Sequence, residues 1–585
     1  MHLTPKKEAL TVFVIGLLLA VIWTWPLAPS LGSSLPHDTR FTPAAASDMH
    51  IWVWDFWWVA EAVAGQGELF FSDQINLPQG QSLALHTHVF LWGLLTLPLQ
   101  WLGGPVFAVG CALLLLFASA FAATWVLLRG IGIGRVGAGF GAFAWAFSPY
   151  FLQKGLEHMD FGATPWPPLF LLFLLHWLHS DEGKGLRYAL GVGIVFGLTL
   201  LTSPLGALST LMLGVLVVAI FPSMPSLGPS RGGRSRIFNG PCLMASTFVA
   251  AGIGLPWLLE LGQELWRVAE FEAIYPAFRG AIHRETTAFA QLADFVRLPG
   301  LHPLAQAFAE PGQTPGLPPG APPGWNELSG LHLSITLIPL AIFAIRGRRH
   351  LASWATLAGV LFLLTWDPTF GPGSGILSEL IRGIPGLETL RVPPRLFPYF
   401  LLPCVLLAAV GVDRLAGYSR GLVGLAFAVL VCESLVVSYP LMEVSAPDAV
   451  SQLAAEEGDL GVLTLPIRFG ASEAMTWQTV HGMPVAFSYV ARPNPKSLFL
   501  WSKTTDDLYA LAIPRFSPLG ELRFPTSEGL EMDLTHIDVG HVLVDTEALA
   551  PAPLVLSNLL DLLDTMPGWE RRATSDSVQW WTRIL

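Results

Sequence analysis

The sequence predicts an all-α polytopic membrane domain followed by a C-terminal α+β domain outside the membrane. Of 585 residues, 52% are apolar and only 13% are charged, about half the charge of an ordinary soluble domain. Apolar windows long enough to cross a hydrocarbon core recur as far as about residue 440. From 441 onward they give way to short alternating runs separated by turn residues, the pattern of strands and loops.

The first span is 9–29, "ALTVFVIGLLLAVIWTWPLAP", preceded by Lys6 and Lys7. Its apolar run is long for a signal peptide and no clean A-x-A site follows, so it reads as an uncleaved helix that starts in the cytoplasm. Further spans are expected at 105–128, 136–150, 167–180, 188–203, 205–222, 242–260, 331–345, 351–366, 397–412 and 421–440. The stretch 89–103, "VFLWGLLTLPLQWLG", is short and interrupted by Pro98; a segment of that kind lies in the interface.

Charge sets the orientation. With 89–103 not crossing, the inner segments hold Lys6, Lys7, Arg129, Arg135, Lys184, Arg187, Arg231, Arg234, Arg236, Arg346, Arg348, Arg349, Arg414 and Arg420. The outer loops 30–104 and 151–166 hold only Arg40 and Lys154. This is the positive-inside bias, and a crossing at 89–103 would destroy it. The expectation is therefore about eleven transmembrane helices, in the plasma (inner) membrane, with the N-terminus cytoplasmic. Residues 1–440 form the membrane domain, with outer loops 30–104, 151–166, 261–330 and 367–396. Residues 441–585 form the extracytoplasmic domain, long enough for a core of its own. In it, 461–467, 484–490, 541–545 and 578–584 read as strands, and 553–566 has helical spacing.

Several function classes drop out. The net charge of −11 comes with no basic run, so nucleic acid is not an expected partner. No G-x-x-x-x-G-K-[ST] loop is present, and the glycines of "GIGIGRVGAG" follow an apolar span instead of a strand. Neither H-E-x-x-H nor G-x-S-x-G occurs. Cys111, Cys242, Cys404 and Cys432 all fall in apolar spans, where free thiols pack as small apolar groups.

The ionisable residues gather in the outer loops. In "SDMHIWVWDFWWVAEA" (47–62), Asp48 and Asp55 are seven residues apart, two turns along one helix face. Trp52, Trp54, Trp57 and Trp58 surround them. The stretch fits an interfacial amphipathic helix with a solvated acidic face. His86 and His88 in "LALHTHVF" could join Asp48 as ligands of a divalent metal; they equally fit interfacial histidines near a helix start. Lys154, Glu157, His158 and Asp160 are crowded between two spans, where ionisable groups are uncommon and often functional. Arg391 and Arg395, with Arg382 upstream, stand on the outer side against the charge trend. Guanidinium groups there suit a lipid phosphate, headgroup anchoring, or a pair with Glu388.

The matching stretches "SDMHIWVWDFWW", "INLPQGQSLALHTHVFLWGLLTLPL", "AFSPYFLQKGLEHMDF", "LRVPPRLFPYFLLPCVLLAAVGVDRL" and "TWQTVHGMPVAFSYVARP" run in order from 47 to 493. In layout the chain resembles the GT-C superfamily of membrane glycosyltransferases, and within it a bacterial branch near the YfhO-like proteins. The resemblance implies sugar transfer, hexosyl or pentosyl, from a polyprenyl-phosphate-linked donor to a glycan, lipid or protein acceptor on the outer face. It implies a catalytic acidic residue at Asp48, as a base toward the acceptor or a ligand that organises metal and substrate, with His158 or Asp160 as the second-loop position. It implies phosphate binding by Arg391 or Arg395. No D-x-D pair stands in the first loop, which leaves a divalent metal cofactor open. Such transfer needs a general base for the acceptor hydroxyl and positive charge on the departing phosphate. Lys154 would add charge, and Trp52 and Trp54 offer ring faces to lipid or sugar. Two other readings compete. One is a transporter or flippase of a lipid-linked glycan, although the spans lack the charged, broken centres of transporters. The other is a cell-envelope scaffold that binds polymer through 441–585.

Overall fold

The computed structural model describes residues 5–40, 43–86, 88–162, 164–180, 185–220, 240–274, 292–308, 328, 330–346, 351–366, 369–371, 374–375, 392–456, 458–467, 471–488, 497, 502–512, 524–572 and 577–584. Most of them are helical. Among the described residues, five helical stretches are long and apolar enough to cross a membrane: Leu97–Gly130, Met159–Leu178, Gly185–Thr202, Gly240–Arg267 and Pro393–Ala416. Pro204–Ile220 and Ala352–Trp366 are shorter apolar helices. The chain is thus built as an integral membrane protein.

The remaining expected spans are helical, and all but the first are shorter. Pro5–Trp23 carries Lys6, Lys7 and Glu8 in its first turn. Arg135–Ala146 has 12 residues, Leu337–Ile345 has 9 and Arg420–Glu433 has 14, against the roughly 20 that a straight crossing takes. The stretch 89–103 forms no single helix. Phe90–Leu95 is a six-residue helix. The next helix, Leu97–Gly130, is broken at Gly104, whose φ of 79° precedes Pro105. Neither piece before the break is long enough to cross.

The chain divides into two compact units. The first comprises Met1–Ser30, Gly110–Leu255 and Gly280–Leu441. Its most buried span is Pro393–Ala416, at 89%. Close packing there needs small residues: a Cβ on Gly411 would collide with the Leu340 carbonyl. Buried hydroxyls find carbonyls, as when Tyr399 donates to Gly206 at 2.8 Å and Tyr439 donates to Leu152 at 2.7 Å.

The second unit comprises Leu31–Val109, Pro256–Arg279 and Met442–Leu585. It contains a four-stranded sheet in the order Gly461–Leu465, Val539–Asp545, Val578–Arg583, Trp569–Arg572. The first pair is parallel and the other two are antiparallel. One face buries Leu463, Leu465, Val542, Val544 and Trp581 with Leu530, Leu534, Leu559 and Leu563. Those four helical leucines come from Ser527–His536 and Pro553–Asp564. On the other face, His541 Nδ1 meets Thr582 Oγ1 at 3.1 Å. The helix Ala471–His481 packs against the Gly461–Leu465 strand and also against the helix Met49–Val63.

The segment 484–490, expected as a strand, contributes only bridges at Val485, to Ile75 and Val462; residues 489 and 490 lie outside the described residues. The Val485 amide donates to Gln74 O at 2.9 Å, and the Ala486 amide donates to Val462 O at 2.9 Å. The long first loop is thereby stitched to the sheet edge.

Candidate active site

The tryptophan-rich stretch folds into the helix Met49–Val63, with Asp48 as its N-cap residue. Asp48 has helical dihedrals, φ −63° and ψ −16°, and its side chain does not cap the helix. The start of the helix is held by its neighbours. Ser47 Oγ accepts from the Met49 amide at 3.2 Å, and the Ser47 carbonyl accepts from Ser472 Oγ at 2.9 Å. His50 is engaged at both ring nitrogens, Nε2 with the Ala44 carbonyl at 3.2 Å and Nδ1 with Thr476 Oγ1 at 2.8 Å. Burial pushes the His50 pKa down to about 4, so the ring is neutral at physiological pH.

The expected solvated acidic face is overturned. Asp55 is fully buried. Its Oδ1 lies 2.9 Å from His88 Nδ1 and 3.6 Å from His86 Nε2. A buried carboxylate demands such partners. The carboxylate that meets both histidines is therefore Asp55, and the two histidines sit just ahead of the helix Phe90–Leu95. Burial lowers the His86 pKa; Asp55 opposes that, His88 adds to it, and Asp48 weakly opposes it. Among the described residues, no group of three or more His, Cys, Asp or Glu is arranged to hold a metal ion. His86 and His88 are the partners of the Asp55 carboxylate.

The tryptophans are also interior. Trp52 and Trp54 are buried. The Trp54 indole donates to Gln478 Oε1 at 2.8 Å and stacks on Trp58, with ring centroids 5.8 Å apart. Trp58 donates to the Glu68 carbonyl at 3.1 Å. These rings fill the unit's core, so the expectation that Trp52 and Trp54 face lipid or sugar is corrected: both side chains are enclosed by protein.

The other candidates belong to the first unit. Lys154 is buried at the end of the helix Pro149–Lys154, with Nζ 5.7 Å from the Tyr150 ring centre. The His158 amide donates to the Lys154 carbonyl at 2.8 Å. Asp160 lies in the 3-10 turn Met159–Phe161, and the Arg395 guanidinium stands 4.7 Å over the Phe161 ring. One expected phosphate-binding arginine thus packs on the residue next to Asp160, within a single unit. Arg391, Arg382 and Glu388 lie outside the described residues.

Sequence reasoning passed over Asp55 as a pairing group, and over Ser472, Thr476 and Gln478. It also missed Glu473, whose pKa is pushed up to about 7 by burial, with Asp545 and Glu547 adding to the effect. An apolar run around a lone Asp, followed some thirty residues later by H-x-H, was the available signal for the Asp55 cluster. Nothing local marked the 472–478 set.

No protein-family model matches the sequence, and no curated protein matches it. Solved structures do. The arabinofuranosyltransferase AftD from Mycobacteria is 15% identical, with a TM-score of 0.53 over 100% of this chain and 40% of that one. This chain therefore spans well under half of AftD's length. The oligosaccharyltransferase of Archaeoglobus fulgidus in its apo form is 12% identical, at TM-score 0.47 over 93% of this chain and 70% of that one. ArnT from Cupriavidus metallidurans is 15% identical, at TM-score 0.40 over 99% and 98% of the two chains. What the likeness to AftD shows is the fold: this chain shares the fold of the matched part of that arabinofuranosyltransferase.

Proposed function

We propose that the protein is a membrane glycosyltransferase that moves a sugar from a polyprenyl-phosphate-linked donor to an acceptor on the outer face of the membrane. The observation that carries this reading is the placement of Asp48. It stands at the head of the Met49–Val63 helix, in the first long loop of this fold, on a segment pinned by Ser472 and Thr476.

In this mechanism Asp48 takes the proton of an acceptor hydroxyl. The oxygen attacks the anomeric carbon, and the bond from that carbon to the phosphate oxygen breaks with its electron pair leaving on the phosphate. Positive charge must meet the departing lipid phosphate, the role that the resemblance gives to Arg391 or Arg395. The resemblance gives the second-loop role to His158 or Asp160, and Lys154 is a further cation of that loop. Donor phosphate is already a good leaving group, so the base supplies on the order of 10²–10⁴-fold in rate. The topology that goes with this function is about eleven spans, with both 30–104 and 441–585 outside.

The test is Asp48→Asn in membranes supplied with a labelled synthetic polyprenyl-phosphate sugar. Transfer should fall by roughly 10²–10⁴-fold while the protein remains folded; full activity in the variant would remove Asp48 from the mechanism. A reporter fused after Leu585 should respond outside the cell, and a cytoplasmic signal would sink the topology.

A further inference from the structure

Three residues on one face of the tryptophan helix and its approach, Ser47, His50 and Trp54, follow at intervals of three and four, the spacing of a single helix side. All three meet one partner helix, Ala471–His481. Ser472 donates to the Ser47 carbonyl, Thr476 bonds His50 and Gln478 accepts from Trp54, each at 2.8–2.9 Å and each in the buried interior. Gln478 is itself anchored, with Nε2 donating to the Gln74 carbonyl at 2.8 Å and to the Met483 carbonyl at 3.2 Å.

The His50 contacts have a direction. The Ala44 carbonyl can only accept, so the ring proton belongs on Nε2. Neutral Nδ1 then offers only a lone pair, and the Thr476 hydroxyl must donate to it. One imidazole therefore bridges the 3-10 turn Ala44–Ala46 on one side and the Ala471–His481 helix on the other. Asp48 lies between these fixed points, one residue beyond Ser47 and two before His50.

We propose that Ser472, Thr476 and Gln478 are positioning residues for sugar transfer. The C-terminal region builds the active site by fixing the 44–50 segment, and with it the direction of the Asp48 carboxylate, without touching the substrate. This inference rests on Asp48 being the base. Catalytic geometry tolerates little slack: a displacement of about 1 Å costs on the order of 10²-fold in rate.

The experiment uses the full-length protein in lipid nanodiscs with a synthetic decaprenyl-phosphate pentose as donor probe. Thr476→Val keeps the side-chain shape and removes the donor. It should lower kcat by about 10–100-fold, leave the donor KM within about twofold and speed amide hydrogen exchange across 44–50. Thr476→Ser should restore both. A role confined to stability would lower the melting temperature of Thr476→Val and leave kcat at the wild-type value; that result, or unchanged exchange across 44–50, overturns the proposal. Asp48→Asn run in parallel separates the two ideas. Persistent transfer in Asp48→Asn would remove the base assignment, while the exchange measurement still decides whether the 471–481 helix holds the turn.

Discussion

The helices Met49–Val63 and Gly240–Ile274 are both dominated by apolar side chains, yet their surroundings are opposite. Of the 15 residues in the first, 10 are buried in protein. In the second, only 22% of the membrane-length window is buried. Along its length Met244, Phe248, Leu255, Leu259 and Trp266 are all exposed. The difference shows in the polar atoms. Buried apolar helices carry a polar atom only where it is partnered, and the first helix meets that demand at His50, Trp54, Asp55 and Trp58. The second needs no such partners along that face, because side chains that face lipid tails are already in apolar surroundings.

Substitutions should separate the two helices, and purified protein melted by tryptophan fluorescence can rank them. Trp54→Ala should produce the largest loss, about 3–5 kcal/mol, because it opens a cavity and strands Gln478 Oε1. Asp55→Asn should follow with roughly 1–3 kcal/mol, since it keeps the shape but breaks the contacts to His88 and His86. A loss below the noise at Asp55 would mean that the pair adds nothing net. At the small end, Phe248→Ala should stay within about 0.5 kcal/mol; a larger cost would show that this face of Gly240–Ile274 is covered by something other than lipid.

Acidity sharpens the comparison on the partner helix. The Glu473 pKa is raised from 4.5 to about 7 in the folded protein. The folded state therefore binds the proton more tightly than the unfolded chain does, and stability falls as pH rises from the lower value through the upper one. Glu473→Gln should melt like wild type near the low end of that window and above it near pH 8. Coincident curves at both ends would mean that this carboxyl is not buried in solution.

Composition and charge made the membrane class legible, because hydrocarbon thickness imposes a length on any helix that crosses it. Strand signals at 461–467, 541–545 and 578–584 met strands, because alternation along one strand is a local property. The strand Trp569–Arg572 was missed: "WERR" is mostly charged, and its pairing to Val578–Arg583 supplies what its sequence does not. The candidate site was half legible. The resemblance singled out Asp48 as an expectation, whereas the burial of Asp55 was invisible, since its partners are set by a turn some thirty residues away. Thr476 and Gln478 are separated from His50 and Trp54 by 426 and 424 residues, and no local pattern reports a contact at that distance. Trp52 and Trp54 were misjudged because a tryptophan-rich helix reads the same whether its rings meet headgroups or a protein core.

The two-sided grip on His50 also makes that ring a clock. Its Nε2 proton can reach solvent only when the Ala44 contact opens, and can pass to the other nitrogen only when the Thr476 contact opens as well. The exchange rate of one imidazole proton thus times the opening of the turn that leads to Asp48, and it can be read with no substrate present.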